Sequence, residues 1–299
     1  MIEVRVPASS ANLGPGFDSF GIALSLYNTI RVKETEKGLY ITNSDTLEFV
    51  PTNTNNLIYR AVLRVFDEVG YTMRGLMINQ NSDIPMTRGL GSSSACIVGG
   101  LIAGNILSGR HLTSQRLFEL ATEIEGHPDN VAPALFGGFC ISCRDEQRLI
   151  RQTIRLKSDI KFVAMVPKYF VSTKKSRGLI PKEVPIENAA FNISHASSIV
   201  YAFATGNYDG LSVFCKDRLH QPYRAEVVLD MDEIIKKSME NGAYCAYLSG
   251  SGPTVVAMVS SDNGSFVNKM NEAFKSLGIE RSCIELTCDN VGAVAILRE

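Results

Sequence analysis

The sequence lacks any apolar run that approaches the roughly 18 residues of a membrane-spanning helix. It also lacks an excess of charge of either sign, because 30 lysines and arginines balance 31 aspartates and glutamates, for a net charge of −1. A nucleic-acid or anionic-membrane partner would favour a basic face, and this composition gives no sign of one. We therefore expect neither nucleic acid nor a membrane among the partners of this protein.

Cysteines are few, odd in number and scattered, with seven in 299 residues. Only Cys140 and Cys143 have Cys-x-x-Cys spacing, and they lie in a strand-like run without a second pair or a nearby histidine, which argues against a zinc site. Scattered thiols are typical of a reducing cytoplasm. The N-terminal residues Met1 to Val6 run straight into an alternating strand without a signal-peptide core. These features predict a cytoplasmic protein.

The length and the 45% apolar content are enough for one large domain or two closely joined ones. Strand-like and helical segments mix without strict βα alternation, which predicts an α+β fold. The charged interval Arg144–Asp159 indicates a surface hairpin or a domain junction, and we place the boundary there, between domains 1–150 and 151–299. Helical patterns are predicted at Leu57–Val69, Ser93–Leu107, Thr113–Glu125, Ala189–Thr205, Tyr208–Cys215, Met231–Asn241 and Phe266–Leu277. Strand-like runs are predicted at Glu3–Pro7, Ile22–Glu34, Gly75–Asn81, Gly138–Ser142, Lys161–Val166, Ala243–Leu248, Thr254–Val259 and Val291–Leu297.

The segment Pro85–Ala95 is the most informative part of the chain. It holds Gly89, Gly91 and the three serines 92–94, and it precedes a small-residue apolar run that predicts a buried helix. Unpaired backbone N–H groups and the helix dipole favour an anion at such an N-terminus, and serine hydroxyls can bind phosphate oxygens or Mg²⁺. The segment differs from the Gly-x4-Gly-Lys-Ser/Thr loop. Taken alone, it could also be an ordinary serine-capped helix after a glycine turn.

Three further segments combine turn residues with polar side chains. In Val6–Asp18 a strand enters a turn that places Asn12 and Asp18 on a loop, although both are common turn residues. In Glu119–Val131 a helix ends at Gly126 and polar residues follow, which could supply ligands or could be a simple helix C-cap. The Leu248–Thr254 turn could form an anion-binding nest or only a hairpin turn.

Together these segments resemble the GHMP kinases, the family of galactose, homoserine, mevalonate and phosphomevalonate kinases, and the resemblance spans nearly the whole chain. The homoserine kinase branch is most similar, because Ser9–Asp18, Gly126–Pro133, Ser172–Arg177 and Asp217–Arg224 are distinctive of it. The resemblance implies an N-terminal half like the second domain of ribosomal protein S5, a ferredoxin-like C-terminal half and a site between them. It also implies ATP- and Mg²⁺-dependent phosphorylation of L-homoserine to O-phospho-L-homoserine, on the route to threonine. Relatives are often homodimers.

The resemblance also implies roles for individual residues. Ser93 matches the serine near the metal, and Glu119 matches the Mg²⁺ carboxylate, with Glu123 as the alternative. The implied ATP-binding residues are Asn56, Pro85, Met86, Thr87, Arg88, Gly89, Leu90, Gly91, Ser92, Ser93, Ser94 and Ala95. The implied substrate-binding residues are Asn12, Asp18, His127, Asn130, Thr173, Arg177 and Arg224.

Homoserine is a zwitterion, so its site needs an anion for the ammonium and cations for the carboxylate. Asp18 meets the first need, and Arg177 and Arg224 meet the second, because a guanidinium binds a carboxylate through two hydrogen bonds. Asn130 stands where mevalonate and galactose kinases carry an aspartate, and an amide cannot act as a general base. We expect Asn130 to hold the substrate δ-hydroxyl and catalysis to rest on Asn130, Ser93 and Glu119. Asp129 stays open as an alternative base.

Two other functions stay open at this point. One is a GHMP kinase with another hydroxylated acceptor, such as mevalonate, which Asn130 and the paired arginines argue against. The other is a ligand sensor that kept the fold and lost turnover, which the intact serine loop argues against.

Overall fold

The computed structural model describes residues 1–43, 50–146 and 148–298. Its strands are β1 (Ile2–Ala11), β2 (Phe20–Thr35), β3 (Gly38–Asn43), β4 (Gly75–Ser82), β5 (Phe139–Asp145), β6 (Arg148–Ile154), β7 (Ile160–Pro167), β8 (Cys245–Leu248), β9 (Val255–Ser260), β10 (Arg281–Leu286) and β11 (Val294–Leu297). Its helices are α1 (Leu57–Val69), α2 (Ser92–Leu107), α3 (Ser114–Glu125), α4 (Val131–Phe136), α5 (Thr173–Gly178), α6 (Ile186–Thr205), α7 (Leu211–Phe214), α8 (Gln221–Arg224), α9 (Met231–Glu240) and α10 (Phe266–Leu277).

The strands form two sheets. The larger has the order β11-β1-β2-β4-β3, and the β5–β6 hairpin joins it through β2; the smaller has the order β10-β7-β9-β8. All pairs between these strands are antiparallel except β3 with β4. Helices and sheets thus mix without βα alternation, which confirms the α+β prediction. None of the helices in the described ranges is both long enough and apolar enough to cross a membrane.

Helix α2 is the buried element that presents the serine loop. Its residues are small and apolar, so it lies close to its neighbours: a Cβ atom added at Gly100 would come within 2.6 Å of the carbonyl oxygen of Ile58 in α1. It also packs on β1 and α3. This close packing fixes the position of the N-terminus of α2, and with it the position of Ser92 and the serines that follow.

The interval Arg144–Asp159 contains the end of β5 and all of β6. The surface hairpin, one of the two alternatives predicted for this interval, is therefore present. The predicted boundary at 150/151 falls inside β6, and β11 returns from the C-terminal end to pair with β1. The two domains 1–150 and 151–299 stay a prediction. Sequence patterns missed β3, β10 and the short helices α4, α5 and α8, and they indicated β6 only through the hairpin alternative for Arg144–Asp159. The polar sequence of α5, Thr173–Gly178, buries only Ser176, so it carries no apolar period to detect.

Candidate active site

A cavity of about 300 Å³ lies where the loop before α2 meets the turn after β1, the end of α3 and the β8–β9 turn. It collects most of the residues that the sequence implicated: Asn12, Asp18, Asn56, Met86, Thr87, Arg88, Gly89, Gly91, Ser92, Ser93, His127, Asp129, Asn130, Thr173, Arg177 and Arg224. Six implicated residues lie outside its lining: Pro85, Leu90, Ser94, Ala95, Glu119 and the alternative metal carboxylate Glu123. Asn56 lines it while capping α1, since its side-chain oxygen accepts from the backbone N–H groups of Ile58 and Tyr59.

The serine loop delivers the N-terminus of α2 to this cavity. Gly91 precedes the helix with a φ of 71°, a left-handed conformation that glycine adopts at little cost. Within the described chain, no side chain caps α2, so its first N–H groups are free to bind an anion. An ordinary serine-capped helix would use a serine at the capping position. The local geometry therefore favours the anion-binding interpretation of this segment.

Glu125, the last residue of α3, is the carboxylate that faces the serine loop. Its two carboxylate oxygens accept hydrogen bonds from the hydroxyls of Ser93, at 2.8 Å, and Ser94, at 2.9 Å. One carboxylate beside serine hydroxyls suits Mg²⁺, which usually binds one or two carboxylates and takes its other ligands from phosphates and water. Among the described residues, no group of three or more His, Cys, Asp or Glu side chains could hold a metal ion. A metal here would therefore depend on the nucleotide for much of its coordination.

The expectation that Glu119 or Glu123 faces Ser93 is not met. Glu119 accepts hydrogen bonds from Gln115, at 3.0 Å, and Arg116, at 3.1 Å, and Glu123 pairs with Arg116 at 3.2 Å. The reason is helical geometry: at 100° per residue, Glu119 and Glu123 point about 120° and about 160° away from Glu125 around the helix axis. Sequence reasoning missed Glu125 because a motif gives the spacing but not which face of α3 meets the serines.

Three of the charged residues that line the cavity, Asp18, Arg177 and Arg224, lie close to one another. Arg177 donates two hydrogen bonds to the Asp18 carboxylate, each 2.8 Å long. Asp18 has a φ of 55°, and the Asn12 side chain holds its turn by accepting from the Asp18 N–H at 3.1 Å. Arg224 is only 2% exposed and donates to the carbonyl of Gly250 at 2.7 Å. Burial, together with nearby Arg177, lowers the pKa of Arg224 to about 10, so it stays a cation at neutral pH.

Asn130, Asp129 and His127 also line the cavity, and they contact one another. The Asn130 side-chain oxygen accepts from Ser9 Oγ at 2.9 Å, and its backbone N–H donates to Asp129 Oδ1 at 2.9 Å. The same Asp129 oxygen contacts His127 Nδ1 at 2.5 Å and Asn130 Nδ2 at 3.3 Å. Burial opposes a charge on His127, but the Asp129 carboxylate raises the pKa of this histidine above its usual value. Asp129 thus anchors both neighbours.

The Leu248–Thr254 segment is the hairpin turn between β8 and β9, and it also borders the cavity through Gly250 and Ser251. Ser249 Oγ donates to the carbonyl of Gly89 at 2.5 Å. A Cβ atom at Gly89 would collide with the carbonyl of Ser249 and lie 3.0 Å from that of Gly252. The two glycine-rich turns therefore touch backbone to backbone.

Comparison with known proteins matches this chain to two family models. The model described as GHMP kinases N terminal domain matches residues 56–138, and the one described as GHMP kinases C terminal matches residues 199–276. A curated homoserine kinase of Clostridium beijerinckii is 44% identical over 297 residues, covering 99% of both chains. One of Caldicellulosiruptor bescii is 43% identical and covers 98% of this chain and 96% of its own.

Solved structures give the same picture. The crystal structure of a homoserine kinase from Cytophaga hutchinsonii superposes with a TM-score of 0.87 at 25% identity, covering 99% of this chain and 97% of that one. A Methanococcus jannaschii mevalonate kinase superposes with a TM-score of 0.71 at 17% identity, covering 96% and 98%. At that identity the second likeness concerns the fold alone.

Proposed function

The chain belongs to the GHMP kinase family. We propose that it is a homoserine kinase, which transfers the γ-phosphoryl group of ATP to the hydroxyl of L-homoserine. The observation that carries the proposal is that one cavity is lined both by the Ser93–Glu125 pair, which we call the donor end, and by the Asp18, Arg177 and Arg224 charges, which we call the acceptor end. Similarity to curated homoserine kinases over 99% of the chain supports it. The product is O-phospho-L-homoserine, on the route to threonine.

At the donor end, the free N–H groups of α2 hold the phosphate oxygens of ATP. Mg²⁺, when bound with the nucleotide, neutralises charge on the phosphates. Glu125 and Ser93 are the residues that would hold this ion, and Glu125 replaces Glu119 in that role. Ser94 orients Glu125, because its hydroxyl donates a hydrogen bond to the second carboxylate oxygen of Glu125.

At the acceptor end, the Asp18–Arg177 ion pair exchanges partners with the zwitterion. The substrate ammonium replaces Arg177 on Asp18, and the substrate carboxylate replaces Asp18 on Arg177 and adds Arg224. Asp18 and Arg177 thus each regain an opposite charge from the substrate. Breaking their ion pair therefore leaves neither side chain without a partner. Mevalonate carries a carboxylate but no ammonium, so it would leave Asp18 unpaired. This exchange favours an amino acid over a hydroxy acid.

Asn130 holds the δ-hydroxyl of homoserine in line with the phosphoryl group. Phosphoryl transfer passes through a loose transition state in which positioning and charge stabilisation carry most of the catalysis. Asn130 therefore needs only to position the hydroxyl, whose proton leaves on an oxygen of the transferred phosphoryl group as the bond between the γ-phosphorus and the ADP oxygen breaks. Asp129 lines the same cavity, but its Oδ1 contacts three nitrogen atoms. We assign Asp129 the role of orienting Asn130 and His127.

Replacing Asn130 tests this division of roles. Asn130→Ala should lower kcat/KM for homoserine on the order of 10²-fold, the cost of a misplaced reacting group, and leave the KM for ATP near wild type. Asp129→Asn should cost less, because its amide oxygen can still accept from the Asn130 N–H. Steady-state kinetics on both variants, with melting curves as the folding control, decide the matter. A greater loss in Asp129→Asn at an unchanged melting temperature would make Asp129 the base.

A coupled ADP-release assay tests the function itself. We expect ATP consumption only when Mg²⁺ and L-homoserine are both present, because the donor end needs the metal and the acceptor end needs both substrate charges. Equal or better turnover with mevalonate would overturn the homoserine assignment. Measurable homoserine binding without ADP release would instead support the ligand-sensor alternative.

The proposal includes a cytoplasmic location, supported by seven cysteines that are all free thiols in the structure. A homodimer stays a prediction from the resemblance, to be measured by the mass of the protein in solution.

A further inference from the structure

Two buried polar side chains beside the substrate-binding residue Arg224, those of Asp217 and His220, have no part in the transfer described above. With Arg224 they form what we call the α8 cluster, because they lie on α8 and the turn before it. His220 is 0% exposed and the Asp217 side chain is equally buried. Buried polar groups are costly unless they are paired, so this arrangement calls for an explanation.

Asp217 fixes the backbone at the start of α8. Its carboxylate accepts from the backbone N–H groups of Leu219, His220 and Gln221, at 3.0, 2.9 and 2.7 Å. It also accepts from the Asn192 side chain of α6, at 2.7 Å. The three backbone donors fix the turn that carries His220, and the Asn192 contact links this turn to α6.

His220 connects this anchor to the substrate arginine. Its Nε2 contacts the carbonyl of Gly14 at 2.8 Å, and its Nδ1 contacts the Arg224 guanidinium at 3.1 Å. Because a guanidinium only donates and a carbonyl only accepts, Nδ1 must be the acceptor and Nε2 must carry the proton. Only a neutral imidazole in this one tautomer satisfies both contacts. The ring also stacks on Phe17, with the ring centres 5.4 Å apart.

Among the described residues, the Arg224 guanidinium uses only part of its hydrogen-bond capacity. A single guanidinium nitrogen bonds both His220 and the carbonyl of Gly250. The Nε atom is buried and has no hydrogen-bond partner among the described residues. Since Arg224 lines the cavity, its unpaired donor capacity is available to a ligand carboxylate. Its orientation depends on the His220 and Gly250 contacts.

We propose that His220 is a positioning residue for homoserine, whose neutral imidazole holds Arg224 in the orientation that receives the substrate carboxylate, with Asp217 as its anchor. This rests on the proposed function of the cavity. It also predicts a pH effect, because a proton on Nδ1 would turn the acceptor into a donor and place two cations side by side. Such a change weakens homoserine binding and leaves the nucleotide end untouched.

The sign of this pH effect follows from the surroundings of His220. Burial lowers its pKa below the usual 6.5, as does the Arg224 cation, while the Asp217 and Asp18 carboxylates and the Gly14 carbonyl act in the opposite direction. The imidazole is therefore neutral at pH 7 and takes up a proton only when the pH falls below its lowered pKa. The unfolded chain binds that proton at a higher pH, so acidification also reduces stability. The KM for homoserine should rise as the pH falls through this range.

His220→Phe and His220→Gln test the proposal, with His195→Phe as the matched control. His195 lies on α6 and stacks on Phe191, outside the cavity lining. His220→Phe should raise the KM for homoserine about 10-fold, the effect of losing a hydrogen bond to a charged group, with kcat and the KM for ATP near wild type. His220→Gln, whose amide can both accept and donate, should recover part of the affinity and lose the rise in KM at acid pH. The control should match the wild type throughout.

Several outcomes would overturn the proposal. The proposal fails if His220→Gln has the wild-type KM for homoserine and the wild-type pH dependence. It also fails if the His220 variants raise the KM for ATP as much as the KM for homoserine. If His220→Phe fails to fold, His220→Gln carries the test, and melting curves at each pH confirm which samples are folded. Wild-type turnover of homoserine in the same assay separates the two proposals: its absence removes both, and its presence beside unaffected variants removes only the role of His220.

Discussion

Glu125→Gln should lower kcat for homoserine phosphorylation on the order of 10²–10³-fold, the usual cost of removing a group that stabilises charge in the transition state. Glu125 faces the serine loop, and both of its oxygens are held by Ser93 and Ser94. Glutamine keeps the shape and one acceptor oxygen but loses the charge that would hold Mg²⁺. The KM for homoserine should stay near wild type, because the acceptor residues lie at the other end of the cavity.

Glu119→Gln is the matched control for this experiment. It makes the same chemical change on the same helix, where Glu119 pairs with Arg116 on a partly exposed surface. Such a pair contributes little, so we expect near wild-type kinetics and a change in stability within about 0.5 kcal/mol. The measurement is kcat as a function of Mg²⁺ concentration for both variants. If Glu119→Gln shows the larger loss, the metal carboxylate is Glu119, and the assignment of Glu125 fails.

Arg177→Ala and Arg224→Ala should each raise the KM for homoserine strongly while the KM for ATP stays near wild type. Losing a charge-assisted contact to a bound carboxylate costs ~1.5–3 kcal/mol, which is about 10- to 150-fold in affinity if KM follows binding. Arg→Lys should recover only part, because an ammonium lacks the forked geometry of the guanidinium. Lys174→Ala, an exposed change on the same helix as Arg177, is the control.

The two arginines should differ in their effect on stability. The Arg177 side chain is 41% exposed, so its loss should leave the melting temperature nearly unchanged. Arg224 is buried, and its removal leaves the carbonyl of Gly250 without this donor, so Arg224→Ala should also lower the melting temperature. Near wild-type homoserine kinetics in both alanine variants would remove the carboxylate site and the main reason for an amino-acid substrate.

Local sequence patterns predicted the parts of the site that depend on local chemistry. The small apolar run placed a buried helix at Ser93–Leu107, and α2 begins one residue earlier. Turn residues around Asn12 and Asp18 indicated a polar loop, and both residues line the cavity. The prediction that these segments converge on one site came from the resemblance to the GHMP kinases. Spacing alone cannot bring Asp18 to Arg177, which is 159 positions away.

Sequence reasoning failed where the answer depends on which face of an element meets a partner. The choice between Glu119 and Glu125 needs the rotation of α3 relative to the serine loop. The burial of Arg224 and the role of His220 need the packing of α8, a four-residue helix too short for a periodic signal. Both arginines look alike in the sequence, and only tertiary packing separates the half-exposed one from the buried one.

The contact between the glycine turn at Gly89 and the Ser249–Gly252 turn leaves no room for a side chain, because a Cβ atom at Gly89 would collide with the Ser249 carbonyl. Any residue larger than glycine at this position would push the two turns apart. Both turns line the cavity, through Arg88, Gly89 and Gly91 on one side and Gly250 and Ser251 on the other. A single substitution at Gly89, which carries no side chain of its own, would therefore displace two separate segments of the cavity lining at once.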